Sequence, residues 1–117
     1  MKKVIVKTTS DFERKAKKWL TPDVVEELFD YLEVHPEKGE IIQGTGGVRK
    51  LRWKTGKNNK GKSGGVRVLY HYSSEILVLL ITLYSKSEKE NITQRERNEL
   101  KQLIPQLVNH YQEDLLR

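Results

Sequence analysis

Three strand-length segments follow one another in the second half of the chain, at residues 48–54, 66–72 and 76–84, and everything between them is turn-forming. Residues 55–65 hold Thr, Gly, Lys, Asn and Ser with no apolar side chain, and Ser73-Ser74-Glu75 is a short turn. Strands joined in this way pair as antiparallel hairpins, because parallel neighbours need a long crossover. In the first segment Leu51 and Trp53 share one side while Lys50, Arg52 and Lys54 share the other, so one face is core and the other cationic. Residues 76–84 are almost unbroken in their apolar character, which suits a strand covered on both faces near the middle of the sheet.

Helical signals flank this block. Residues 3–7 read as a first strand, and Ser10-Asp11-Phe12-Glu13 then offers a capping box that starts a helix with Phe12, Ala16, Trp19 and Leu20 on one side. Thr21 is the expected N-cap of a second helix with Pro22 at its first position, an apolar stripe at Val24, Val25, Leu28, Phe29 and Leu32, and a stop at His35-Pro36 and Gly39. Thr93-Gln94-Arg95-Glu96 opens a C-terminal helix in which Leu100, Leu103, Ile104, Leu107, Val108 and Tyr111 keep one register. Pro105 lies inside it, and since an interior proline costs about 3 kcal/mol a kink or break is expected there. The order is β-α-α-β-β-β-α: an α+β fold, a small, mostly antiparallel sheet of about four strands with helices packed on one face, forming a single domain over residues 1–117.

The net charge of +6 is local. Residues 41–74 contain no Asp or Glu but hold Arg49, Lys50, Arg52, Lys54, Lys57, Lys60, Lys62 and Arg67, while the rest of the chain is slightly acidic. Such a concentration fits a polyanion site better than a device for solubility. With no cysteine the chain forms no disulfide, thiolate nucleophile or Cys-type zinc site. The apolar run Val4-Ile5-Val6 is far shorter than a secretory leader needs and the run at residues 76–83 is too short to span a bilayer, so a cytoplasmic location is expected. Carboxylates are missing where the cations gather, which argues against a magnesium-dependent nuclease, so no metal and no cofactor are expected. His35 and His110 have no metal-ligand company and read as structural.

Two blocks carry a resemblance: Gln43-Gly44-Thr45-Gly46-Gly47-Val48-Arg49-Lys50-Leu51-Arg52-Trp53 and Gly61-Lys62-Ser63-Gly64-Gly65-Val66-Arg67-Val68-Leu69-Tyr70, followed by Leu83-Tyr84-Ser85-Lys86-Ser87-Glu88. Together they resemble the motifs of HigB-type toxins in the RelE/ParE superfamily, with matching element order over nearly the whole chain. The resemblance implies a toxin of a type II toxin–antitoxin system, an endoribonuclease that cuts messenger RNA in the ribosomal A site and is neutralised by a HigA-like helix-turn-helix antitoxin. Carried over residue by residue, it marks Lys50, Arg52, Arg67 and Lys86 as catalytic. Ser87 stands where many relatives have a further arginine, and their C-terminal catalytic tyrosine has no match here, so the acid and base stay open.

Metal-independent RNA cleavage needs attack by the 2′-OH, a proton acceptor, a proton donor and cations on the phosphorane. Arg52 and Arg67 suit the last task, because guanidinium grips phosphate oxygens in a fork and keeps its charge. Among Lys50, Lys54 and Lys86, crowding by like charge favours proton transfer. Arg49, Lys54, Lys57, Lys60, Lys62, His71 and Tyr84 are candidate substrate-binding residues. His71 shares a strand face with Arg67 and is a candidate acid or base, beside the commoner reading of a partly buried, hydrogen-bonded histidine. Tyr84, next to Lys86, is a candidate base-stacking residue, whereas Tyr70 and Tyr72 read more simply as core. Two other functions fit the same fold: a ParE-like topoisomerase-poisoning toxin and a noncatalytic RNA-binding module.

Overall fold

In the computed structural model, residues 4–57, 65–73 and 75–115 are described. Their elements run β1 (Ile5–Thr8), α1 (Ser10–Trp19), α2 (Pro22–Val34), β2 (Glu40–Ile41), β3 (Val48–Trp53), β4 (Val66–Ser73), β5 (Leu77–Ser85) and α3 (Gln94–Leu115). The strands form one sheet in the order β1-β5-β4-β3-β2. β2–β3, β3–β4 and β4–β5 are antiparallel hairpin neighbours, and β1 lies parallel to β5. The sheet therefore has five strands, one more than expected. The extra one, β2, has only two residues, too few to leave an alternating pattern in the sequence.

Alternation along β4 divides the core into two. Val66, Val68 and Tyr70 face α1 and α2, where they pack with Phe12, Ala16, Val24, Leu28 and Leu32. Leu69 points the other way and joins Val48, Leu79, Ile81 and Ile104 beneath α3. The helices were expected on one face; α3 instead covers the opposite one. That arrangement accounts for the unbroken apolar run in β5, which serves both cores, and a bulge opposite Leu69/Tyr70 leaves Ile81 unpaired and keeps it on the α3 side.

The helix starts follow local chemistry. Thr9, one residue before the expected Ser10, caps α1: its Oγ1 accepts from the Phe12 N–H at 3.1 Å and donates to the Ile81 carbonyl at 2.6 Å, so a single hydroxyl caps the helix and ties it to β5. Glu13 is then free to accept from Thr8 Oγ1. The box at Thr93 forms as expected, with Glu96 N–H donating to Thr93 Oγ1 at 3.1 Å and Thr93 N–H donating to Glu96 Oε1 at 2.8 Å. A hydrogen bond from Lys89 Nζ is the main cause holding the Glu96 carboxyl below its usual range. α3 runs through Pro105 without a break, since Ile104, Leu107 and Val108 pack against the second core on both sides of the proline. Among the described residues, no helix is long and apolar enough to cross a membrane.

The loop after α2 is fastened from below. Tyr70, wholly buried, donates its hydroxyl to the Pro36 carbonyl at 2.7 Å and accepts from the Gly39 N–H at 2.8 Å. Arg49 Nη1 reaches the carbonyls of Glu37 and Gly39 at 2.9 and 2.8 Å. A Cβ on Gly39 would lie 2.8 Å from the Tyr70 ring, so only glycine lets the chain pass this close before entering β2.

Candidate functional site

Strand register alone brings the cations together. Arg52 is directly opposite Arg67, Arg67 opposite Tyr84, Glu40 opposite Lys50 and Lys50 opposite Leu69, and these side chains all lie on the α3 side of the sheet. Part of that face is not roofed by α3. There a concavity of about 650 Å³ opens, lined by Lys38, Glu40, Lys50, Arg52, Arg67, Lys86, Glu90 and Asn91 with Leu51.

Arg67 is its most unusual member. Only 7% of the residue is exposed, yet among the described residues its guanidinium has neither a hydrogen-bond acceptor nor an ion-pair partner. Buried charge is costly unless paired. Placing Arg52 directly across from it adds repulsion, because like charges opposite one another destabilise a strand pair. An anion seated between the two guanidinium groups would offset both penalties.

Tyr84 lies beside Arg67 with 4% exposure, and among the described residues its buried hydroxyl has no hydrogen-bond partner. Burial holds its phenol above the usual range, against the opposing influence of the Arg67 charge. Lys89 sits over the ring at 5.1 Å, and Ile92 and Ile104 pack in the same cluster, so Tyr84 offers no open face to a base. The expectation of base stacking is corrected accordingly.

Lys50, Arg52, Arg67 and Lys86, expected to be catalytic, thus line one concavity, drawn from β3, β4 and the connector after β5. Lys50 Nζ contacts Asn91 Oδ1 at 3.5 Å, linking floor to connector. The expected binding residues are arranged differently. Arg49 alternates to the opposite face and holds the loop before β2, as described above. Lys54 lies beyond the end of β3 and pairs with Glu27 of α2 at 2.7 Å, which raises its pKa through that hydrogen bond and charge. Lys57 Nζ donates to the Lys18 carbonyl. His71 is half-buried with Nδ1 3.0 Å from the Gly47 carbonyl, outside the concavity and beneath the glycine turn. None of these four is brought to the concavity with Arg67. Lys60 and Lys62, with most of the expected 55–65 loop, lie outside the described residues.

The structure also adds residues that sequence reasoning missed. Lys38, Glu40, Glu90 and Asn91 line the concavity, so carboxylates do approach the cations, but from outside the acid-free stretch. Glu40 immediately precedes that stretch, and its position opposite Lys50 becomes visible only once β2 is recognised. The glycine motif is architectural: Thr45 Oγ1 donates to the Ile42 carbonyl at 2.7 Å and accepts from the Val48 N–H at 3.0 Å, closing the β2–β3 turn. Gly44, Gly46 and Gly47 there have φ of 80°, 78° and 102°, and a Cβ on Gly47 would come within 3.1 Å of the His71 ring.

In the described residues, no three His, Asp or Glu side chains converge as a metal-binding group. Two guanidinium groups, three ammonium groups and two carboxylates around an open hollow can bind a phosphodiester and move protons at its edges. In a comparison with known families, the family described as "RelE toxin of RelE / RelB toxin-antitoxin system" matches residues 4–117.

Proposed function

The chain belongs to the RelE toxin family and is a toxin of a type II toxin–antitoxin system; from that premise we propose that it is a HigB-type, ribosome-dependent endoribonuclease acting in the cytoplasm, with residues 1–117 as one toxin domain. It cuts messenger RNA in the ribosomal A site by attack of a 2′-OH on the adjacent phosphorus, without a metal or other cofactor, and so stops translation. Its neutralising partner is a HigA-like helix-turn-helix antitoxin. The observation that carries this reading is Arg67, a mostly buried residue whose guanidinium has no ion-pair partner among the described residues, set opposite Arg52 in an open cationic hollow.

In this reading Arg52 and Arg67 hold the non-bridging oxygens, where preformed charge acts most strongly as the phosphorane develops. Lys50 and Lys86 complete the cationic wall, and Lys86, the first residue after β5, protonates the leaving oxygen in this reading. Inducing the chain in bacteria and mapping transcript ends tests the function. Cuts phased with codons inside translated messages are expected. Whole messages with damaged DNA would favour topoisomerase poisoning instead, and whole messages with bound protein a noncatalytic RNA-binding role.

A further inference from the structure

We propose that Glu40 is the general base of this site, accepting the proton of the attacking 2′-OH; the inference rests on the endoribonuclease reading above. Two carboxylates reach the cationic hollow, and the topology separates their roles. Glu40 enters from β2, at the edge of the sheet, held by its register opposite Lys50. Lys86 enters from the connector directly after β5, three strands away in the order β5-β4-β3-β2. Three interstrand spacings put about 14 Å between the two strands across the sheet. Lys86 lies further along the chain than Thr82, which shares the row of Glu40, Lys50 and Leu69, and Arg67 of β4 and Arg52 of β3 lie between Glu40 and Lys86.

In-line displacement at phosphorus requires this polarity. The attacking and leaving oxygens sit on opposite sides of the phosphorus, so acceptor and donor must stand on opposite walls with cations between. Glu90 does not meet the condition, because it shares the connector with Lys86, the donor wall. Glu40 is also free to act: it is exposed, and among the described residues it has no hydrogen bond or ion pair, while Lys50 across from it contacts Asn91 instead.

The step balances as follows. The O2′–P bond forms as the 2′-OH proton passes to the Glu40 carboxylate, the P–O5′ bond breaks, and the 5′ oxygen takes a proton from the Lys86 ammonium. The products are a 2′,3′-cyclic phosphate and a 5′-hydroxyl. Exchange with water returns Glu40 and Lys86 to their starting states.

Single-turnover cutting of a defined message on purified, programmed ribosomes tests the assignment. Glu40→Gln is expected to lower the cutting rate by about 10²–10⁴-fold, the usual weight of a positioned base, at an unchanged half-saturating ribosome concentration and an unchanged Tm. The wild-type rate should fall towards acid pH, a limb absent from Glu40→Gln, and Glu40→Asp should recover part of the rate. A Glu40→Gln protein that cuts within threefold of wild type with the same pH profile overturns the assignment and leaves the endoribonuclease reading standing. A wild-type protein that leaves the message whole overturns both.

Discussion

Replacing Arg67 with Met removes toxicity and, in the same protein, raises the melting temperature. Met keeps length and apolar contact on β4, so the substitution deletes the charge without opening a large cavity. Activity falls because the phosphate loses its buried two-pronged donor. Loss of one preorganised donor lowers catalysis by about 10²–10³-fold, and a guanidinium supplies two. Stability rises because the substitution removes, from a residue only 7% exposed, a cation with no ion-pair partner among the described residues, and with it the repulsion from Arg52. A gain on the order of 1 kcal/mol corresponds to about 4 °C in Tm for a chain of this size. Arg67→Lys should stay well below wild type, since an ammonium cannot reproduce the planar fork. Growth after induction and a thermal melt are the two measurements. A Met variant that is inactive and less stable would mean that Arg67 supports the fold, and a fully toxic one would remove it from the site.

Tyr70→Ala should be the most damaging single substitution on the other face. The side chain is wholly buried, and truncating a buried aromatic costs about 3–5 kcal/mol, a large share of the stability of a small domain. Tyr70→Phe isolates the polar part. It keeps the ring but leaves the Pro36 carbonyl without its donor and the Gly39 N–H without its acceptor, for a loss of about 2 kcal/mol. Urea titration measures both. The link to function is positional, because the loop that Tyr70 and Arg49 hold leads directly into Glu40. Tyr70→Phe should therefore lower cutting even at temperatures where it remains folded. Equal urea midpoints for Phe and wild type would show that the hydroxyl bridge contributes nothing.

Much of this architecture was legible in the residues. The hairpins were marked by apolar alternation between turn-forming stretches, and α2 and α3 by Thr21-Pro22 and the Thr93–Glu96 box. Lys50 and Arg52 were placed on one face by period-two alternation alone, and Arg67 joined them through hairpin pairing. The same alternation puts Arg49 on the opposite face, which its charge alone does not reveal. Lys54 and Lys57 lie past the end of β3, where alternation no longer decides direction and the nearest carboxylate or carbonyl does.

What escaped the sequence depends on contacts distant in the chain. β2 is two residues long and exists through pairing with β3, so Glu40 gave no sign that it faces Lys50. The side of the sheet taken by α3 is set by Leu69, Leu79 and Ile81, which only a two-faced β5 can supply. Lys86, two residues on in the chain, points Tyr84 towards the site, but burial beneath Lys89 and Ile92 decides its position. The absence of acids from residues 41–74 was a sound signal of a cationic surface, yet the fold brings Glu40 and Glu90 to its rim from either side.

The central claim is that paired guanidinium groups grip a phosphodiester while its own 2′-OH attacks. Chemical analysis of the RNA ends left by wild-type protein on translating ribosomes tests it most directly. The account predicts a 2′,3′-cyclic phosphate, or the 3′-phosphate it hydrolyses to, on one fragment and a 5′-hydroxyl on the other. A 3′-hydroxyl paired with a 5′-phosphate would show that water, not the 2′-OH, attacks, and would contradict it.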